Sequence, residues 1–442
     1  MISLNIARDS INKHKKNYIN YLTKKKVKVD KSSLVSLRYL IFSDFELKKK
    51  EDIIKNITKI NLKCQIKNLF FIRHYIGVDF YGNTSQENLK RYKKMVLSWS
   101  YKNNFDKDGS YKDNYFKSVK NNNDILWVTI LGDAQLPKKI NKNILIIHPK
   151  KGGLLGGVCN IFNYIKQLLA REKLSFINFF HQLSYDSYLA NEIESFFKKN
   201  NLLAYIKRLY LPLETQPFQN SIINLAKKEN IETIGFDQTG NPFPFYNSFS
   251  PISPDKLVVH SYSSFKFYTQ KLNWPKKRIK KIPSTRMLKR NKNFFKNKIF
   301  LPILLHNNNL ILERLNYIFS EYSTKFCFKK FKVNLHPATK NISKFQKILD
   351  DINKLKKKYE NSRIKNKGNL SLHVGNTSTI IEALESGSEV IHVCSSILFD
   401  PLSTDYWNSV ESKKINHGIF NYKLKRYGHC VTFKKKGKSL IL

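Results

Sequence analysis

The sequence predicts an α/β protein built from two doubly wound units, and three observations carry that prediction. From residue 125 onward, short apolar runs of β-forming residues alternate with amphipathic stretches of helical length, the order that builds a parallel sheet covered by helices. The Lys-rich stretch 289–297 interrupts this alternation and reads as a linker. The chain also has 442 residues with 41% hydrophobic content, more than one average domain needs. The predicted division is 1–288, linker 289–297, and 298–442.

Taken in order, residues 125–131 (ILWVTIL) and 143–147 (NILII) read as buried strands, being short, apolar and bounded by turn residues. Helical stretches follow at 158–172 and 187–200. Then come a strand at 206–211, a helix at 216–228, and strands at 231–236 and 256–260. A helix at 263–272 is stopped by Asn273-Trp274-Pro275. The C-terminal part alternates most cleanly. Strands at 298–305, 331–335, 370–374 and 390–393 are separated by helices at 311–323, 343–359 and 377–386. Right-handed crossovers then gather the loops after the strands on one carboxyl edge, where such sheets bind ligands. Residues 1–120 give no clear order. The polar segment 101–123 reads as a loop or insertion.

The net charge is +46, and of 79 basic residues 67 are Lys and only 12 Arg. A reader of bases or phosphates favours the Arg fork, so most of this charge reads as a solvated Lys surface. No helix-turn-helix, zinc-finger or RNP pattern occurs, and a specific nucleic-acid partner is not expected. The field of so basic a protein still attracts anionic lipids and acidic glycans. Cys64, Cys159, Cys327, Cys394 and Cys430 are scattered without a C-x-x-C. That indicates neither a zinc knuckle nor a disulfide framework, and fits a reducing cytoplasm. The N-terminus lacks an apolar signal-peptide region, and no apolar run approaches the ~20 residues of a membrane span. Membrane association is expected to be peripheral, through residues 12–26, where six lysines mix with Tyr18, Ile19, Tyr21 and Leu22.

Two signals fall on the predicted carboxyl edge of the C-terminal unit. His336-Pro337 directly follows a strand, and a histidine there can donate a ring N–H to a phosphate oxygen. In the second, a strand turns at Gly375 into a helix that opens Asn376-Thr377-Ser378-Thr379. Unpaired N–H groups at such a turn favour an anion, and either Asn376 or Thr377 can cap the helix. Glu382 lies one turn in, within reach of a ribose hydroxyl, while Ile380, Ile381 and Leu384 should face the sheet. Asp106-Lys107-Asp108-Gly109 has the metal-nucleotide pattern Asp-x-Asp, but its Lys/Asn-rich surroundings read as a surface turn. The glycine-rich 151–157 fits neither the dinucleotide nor the P-loop spacing, and reads as a strand-to-helix turn.

The ordered pair, strand-His336-Pro337 then strand-Gly375-x-Thr377-Ser378-Thr379-helix-Glu382-Ala383-Leu384, resembles the C-terminal half of GT-B glycosyltransferases. It is most similar to bacterial enzymes using CMP-activated sialic, Kdo or other nonulosonic acids. The spacing of Glu214-Thr215-Gln216, Gly235-Phe236-Asp237-Gln238, Pro254-Asp255 and Ser284-Thr285-Arg286 is similar to that of surface carbohydrate biosynthesis proteins. This resemblance covers residues 205–395. It departs at Asp237-Gln238-Thr239, where those proteins commonly carry a histidine.

The resemblance implies two Rossmann-like domains facing across a cleft, with no cofactor and no metal. The donor nucleotide is expected on His336, Pro337, Gly375, Asn376, Thr377, Ser378, Thr379 and Glu382. The implied activity is transfer of a sugar from a CMP donor to a glycan or lipid-linked acceptor during surface-polysaccharide synthesis. Base candidates are Asp237, Glu214 and Asp133, in that order; each also fits a capping or salt-bridged acid. Alternatives are a UDP-sugar enzyme or epimerase and a non-catalytic polyanion-binding protein.

Overall fold

Strands with apolar side chains on both faces must be covered on both faces, and that requirement organises this chain. A computed structural model describes residues 75–117, 119, 124–132, 135–151, 185–214, 217–237, 247, 249–287, 292–302, 308–336, 339, 343–359, 368–375, 377, 379–394 and 409–433. The expected helix at 158–172, the basic stretch 12–26 and most of the glycine-rich 151–157 lie outside them. The described part is a mixed α/β structure with two multi-stranded sheets.

The first sheet holds β1 (Tyr75–Tyr81), β2 (Lys94–Ser100), β3 (Ile125–Leu131), β4 (Ile144–Lys151), β5 (Arg208–Leu213), β6 (Glu232–Asp237), β7 (Lys256–Val259) and β8 (Ile279–Lys281). Their order is β1-β4-β3-β2-β5-β6-β7-β8. All neighbours run parallel except the edge pair β1 and β4. The parallel strands advance in one direction from β2 and in the other from β5, so the chain reverses its winding between those two strands. Loops following strands at such a switch point leave a crevice between them.

The helices of this half are α1 (Gln86–Leu89), α2 (Tyr185–Lys199), α3 (Pro217–Lys228) and α4 (Tyr262–Gln270). Leu189, Ile193 and Phe197 of α2 and Phe218, Ile222 and Ala226 of α3 bury one face, against Leu97, Val128, Leu145 and Leu211. The other face, with Val96, Trp127, Ile146 and Tyr210, is covered by Tyr111 and Phe116. The segment expected to be a polar insertion is therefore part of the core packing. Its anchor is Asp113, whose carboxylate accepts from Ser98 Oγ, from Tyr111 Oη at 2.6 Å, and from the backbone N–H groups of Tyr115 and Phe116 at 2.6 and 3.0 Å. The Asp106–Asp108 stretch is an exposed turn, as expected, with Asp106 paired to Lys112 at 2.6 Å.

The short helix α5 (Lys292–Phe295) occupies the predicted linker. The second sheet follows with β9 (Lys298–Phe300), β10 (Lys332–Asn334), β11 (Leu370–Val374), β12 (Glu389–Val393), β13 (Val410–Asn416) and β14 (Ile419–Leu424), ordered β10-β9-β11-β12-β14-β13. The first four are parallel, and β14 and β13 add antiparallel edges. Its winding reverses between β9 and β11. The sequence predicts neither the β13–β14 hairpin nor β1, β2 and β8, and it overextends β9, which stops before Pro302, a residue with no N–H for the ladder. The helices are α6 (Asn308–Tyr322), α7 (Ser343–Lys358) and α8 (Thr379–Glu385). The first two cover one face through Leu315, Phe319, Ile348 and Ile352. The third buries Ile380, Ile381 and Leu384, the residues expected to face the sheet. Among the described residues, no helix is long and apolar enough to cross a membrane.

A single apolar cluster joins the two sheets. Leu213, Leu257 and Val259 of the first meet Phe300, Val390 and Tyr422 of the second, with Tyr268 and Trp274 among them. The chain also crosses back after β14. Ser263 N–H donates to His429 O, Thr432 N–H to His260 O and Ser284 N–H to Thr432 O, at 3.1, 2.8 and 2.8 Å. Glu385, 0% exposed at the end of α8, fixes the start of this crossing. Its carboxylate accepts from the N–H groups of Gly428, Cys430 and Val431 at 2.7, 2.8 and 3.0 Å. Replacing Glu385 with Ala should destabilise the protein by about 3 kcal/mol or more, because three backbone donors, two of them buried, lose their acceptor. Glu385→Gln, which keeps one acceptor oxygen, should lose less. Denaturant unfolding of the three proteins measures the order.

Candidate functional site

Strand alternation decides where the acidic candidates point. Leu213 and Asp237 are paired across β5 and β6, and Asp237 is turned toward α4, where its carboxylate accepts from Tyr268 Oη at 2.8 Å and from Ser264. It is 7% exposed, and burial pushes its pKa up to about 6 against the pull of those hydroxyls. Glu214, one residue beyond Leu213, takes the opposite face. It is 6% exposed, its N–H donates to Gln219 Oε1 at 3.0 Å, and its charge acts on Tyr115. Asp133 lies outside the described residues.

Tyr115, which sequence reasoning missed, joins groups that it named, Glu214 among them. Burial holds its phenol well above the usual range, with Glu214 adding to this and Arg286 opposing it. The Arg286 guanidinium lies 5.8 Å from the Tyr115 ring centroid. Arg286 leaves the first sheet just after β8 and is fixed from both sides. Its N–H donates to Ser284 Oγ at 3.2 Å, while Thr285 Oγ1 donates to Tyr115 O at 2.8 Å. Its charge also reaches two groups of the second sheet. Burial lowers the pKa of His336, with Arg286 adding to the effect. Burial raises that of Glu382, opposed by Arg286 and Lys117. Glu214, Tyr115, Arg286, His336, Glu382 and Lys117 thus form one connected electrostatic neighbourhood drawn from both sheets.

His336 follows β10, and its carbonyl accepts from both the N–H and the hydroxyl of Thr339 at 2.9 Å. Pro337 lies outside the described residues. The lowered pKa leaves the His336 ring neutral at pH 7, a hydrogen-bond donor rather than a fixed charge.

The turn after β11 is tied down from beneath. Gly375 has φ +61°, a conformation that favours glycine, and its N–H donates to Val393 O at 2.7 Å. His392 Nε2 donates to Gly375 O at 2.8 Å, which leaves its Nδ1 to accept from Tyr422 Oη at 3.2 Å. His373, paired with His392 across the strands, bonds Thr379 Oγ1 through Nδ1 at 3.1 Å. Of the two expected caps, Thr377 serves. Its Oγ1 accepts from Thr379 N–H at 3.3 Å and its carbonyl from Ile380 N–H at 3.3 Å. Asn376 and Ser378 are outside the described residues, and α8 begins two residues later than predicted. Thr379 is engaged inward with His373 and Thr377, whereas Glu382 is half-buried on the neighbourhood with Arg286.

The arrangement brings a cation, a neutral imidazole donor and a carboxyl of raised pKa within electrostatic reach of one another and, through Arg286, of a buried carboxylate and phenol. Such a set can hold an anionic group at one end and accept a proton at the other. Neither the protein-family models nor the sequences of characterised proteins give a match to the chain.

The histidines beneath the turn also set a pH dependence. Burial holds the pKa of His260 and His392 down to about 4, and that of His373 well below the ordinary 6.5. The unfolded chain therefore binds protons more readily than the folded one as pH falls below 6.5. Their full contribution to stability is present above that value and is lost as pH falls, over 6.5 to about 4 for His260 and His392, at about 1.4 kcal/mol per histidine per unit. The denaturation midpoint should fall steeply from pH 7.5 to 5, and His392→Gln should make that fall shallower.

Proposed function

We propose that this chain is a GT-B glycosyltransferase that transfers a sugar, a nonulosonic acid from a CMP donor, to a glycan or lipid-linked acceptor in surface-polysaccharide synthesis. The observation carrying this reading is the connection of Glu214, at the switch point of the first sheet, to His336 and Glu382, after strands of the second, through Arg286. In this reading the two sheets are the cores of two Rossmann-like domains, and the crevice between them receives the nucleotide-sugar.

Arg286 and the neutral His336 ring meet the phosphate of the donor, and Glu382 meets the ribose. As the acceptor oxygen attacks the anomeric carbon, its proton passes to Glu214 and the bond from that carbon to the phosphate oxygen breaks. CMP leaves with the electron pair. Charge developing on the phosphate is stabilised by the guanidinium and the imidazole N–H, both held in place before the reaction. Glu214 suits the base role better than Asp237, because its side lies with Tyr115 and Arg286 while Asp237 is committed to α4. Asp237, with a pKa near 6, serves as a structural acid between β6 and α4.

CMP should raise the melting temperature more than UDP or GDP at equal concentration, since a native-state binder stabilises by mass action. Stabilisation by UDP or GDP without CMP would reject the nonulosonic-acid donor. Arg286→Ala and His336→Ala should each weaken CMP binding by roughly ten- to a hundredfold. Glu214→Gln should keep CMP affinity and lose at least ~100-fold in turnover. Transfer assays with the variant and with Asp237→Asn separate the two acids: retained turnover in Glu214→Gln and its loss in Asp237→Asn would reverse the assignment.

A further inference from the structure

Two acid-free segments, remote in sequence, fold against each other on the far side of α4. Residues 256–287 contain nine Lys or Arg and no Asp or Glu, and residues 412–433 contain five and none. The chain as a whole has 33 acidic residues in 442, so both segments are depleted well beyond its average. The crossing joins them: Ser263 N–H donates to His429 O, and the Tyr262 ring lies 5.6 Å from that of His429. At this seam the surface is aromatic as well as basic. Tyr262 is 50% and Tyr427 53% exposed; the other large hydrophobic so exposed among the described residues is Phe294, at 44%. Lys281 Nζ sits 5.8 Å over the Tyr262 ring, and Lys281, Lys425 and Arg426 are all exposed. Glu385, beneath the crossing, is turned inward and accepts from backbone N–H groups, and the exposed Glu411 stands opposite Lys423 in the β13–β14 hairpin.

We propose that this seam, carrying Tyr262, Lys281, Lys425, Arg426 and Tyr427, is a docking face for an anionic membrane surface. Half-exposed tyrosines suit the headgroup region, where an apolar ring and a polar hydroxyl are both accommodated. The flanking cations are mostly Lys, compact point charges that attract a negative surface without requiring the bidentate geometry of nucleic-acid readout. The proposal is independent of the sugar donor and of the catalytic assignment. It adds a contact through the described residues to the one expected in residues 12–26.

Co-sedimentation of the full chain with vesicles of phosphatidylcholine, with and without phosphatidylserine, tests it, using duplex RNA as the competing polyanion. The intact protein should sediment with the anionic vesicles only, and less as salt rises. The double variant Lys281→Glu with Arg426→Glu should reduce partitioning at least roughly tenfold, and Tyr262→Ser with Tyr427→Ser should reduce it severalfold. All these side chains are exposed or at the surface, so melting temperatures should hold. Lys354→Glu with Lys357→Glu on the exposed side of α7 changes net charge equally and should leave partitioning nearly unchanged. Equal loss in that control would assign the attraction to the general Lys coat and overturn the proposal. So would unaltered vesicle binding in the seam variants, or their loss of RNA binding with vesicle binding intact.

Discussion

The carboxylate of Glu385 is the interaction on which the arrangement of this molecule turns. A fully buried acid is costly unless hydrogen bonds replace its water, and here three backbone N–H groups of one short segment do so. The exchange is mutual, since the N–H groups of Cys430 and Val431 are themselves buried and need an acceptor. At its other end, α8 begins at the turn around Gly375 and Thr377, so one seven-residue helix connects the turn after β11 to the returning chain. From there Thr432 pairs with His260 and Ser284, two residues before Arg286. The position of the central cation is thus set by the same crossing that Glu385 starts.

Much of the fold was legible because periodicity and burial agree. Residues 125–131 and 370–374 are uniformly apolar or neutral in sequence and become fully buried parallel strands with the predicted bounds. The missed strands each broke that rule in a recognisable way. β2 carries Ser98 and Ser100 among its apolar residues, and Ser98 is there to satisfy Asp113. β13 is exposed over most of its length and has no apolar face to detect. A two-residue turn at His417-Gly418 joining it to the alternating 419–424 was the available signal.

The candidate site was legible only where it follows strands. His336 and the turn at Gly375 stand out because a strand-to-loop change is visible locally. Tyr115 and Arg286 do not, because their roles come from tertiary placement. Tyr115 sits in a polar stretch whose order depends on a buried aspartate, and Arg286 is one basic residue among 79. The ranking of Asp237 above Glu214 could not be settled by motif either. It depends on which face of the sheet each acid meets, and thus on the register Leu213 to Asp237.

The apolar cluster shared by both sheets has a consequence for recombination. Leu213, Leu257, Tyr268 and Trp274 belong by sequence to the first half, yet they cover Val390, Phe420 and Tyr422 of the second. A gene fragment starting at the linker would encode a sheet with one face covered only in part, by α8, and prone to aggregate when expressed alone. Exchange of C-terminal halves between related proteins would therefore have to carry α4 along with β9 to β14. The modular unit of inheritance in this architecture is larger than the sheet it contains.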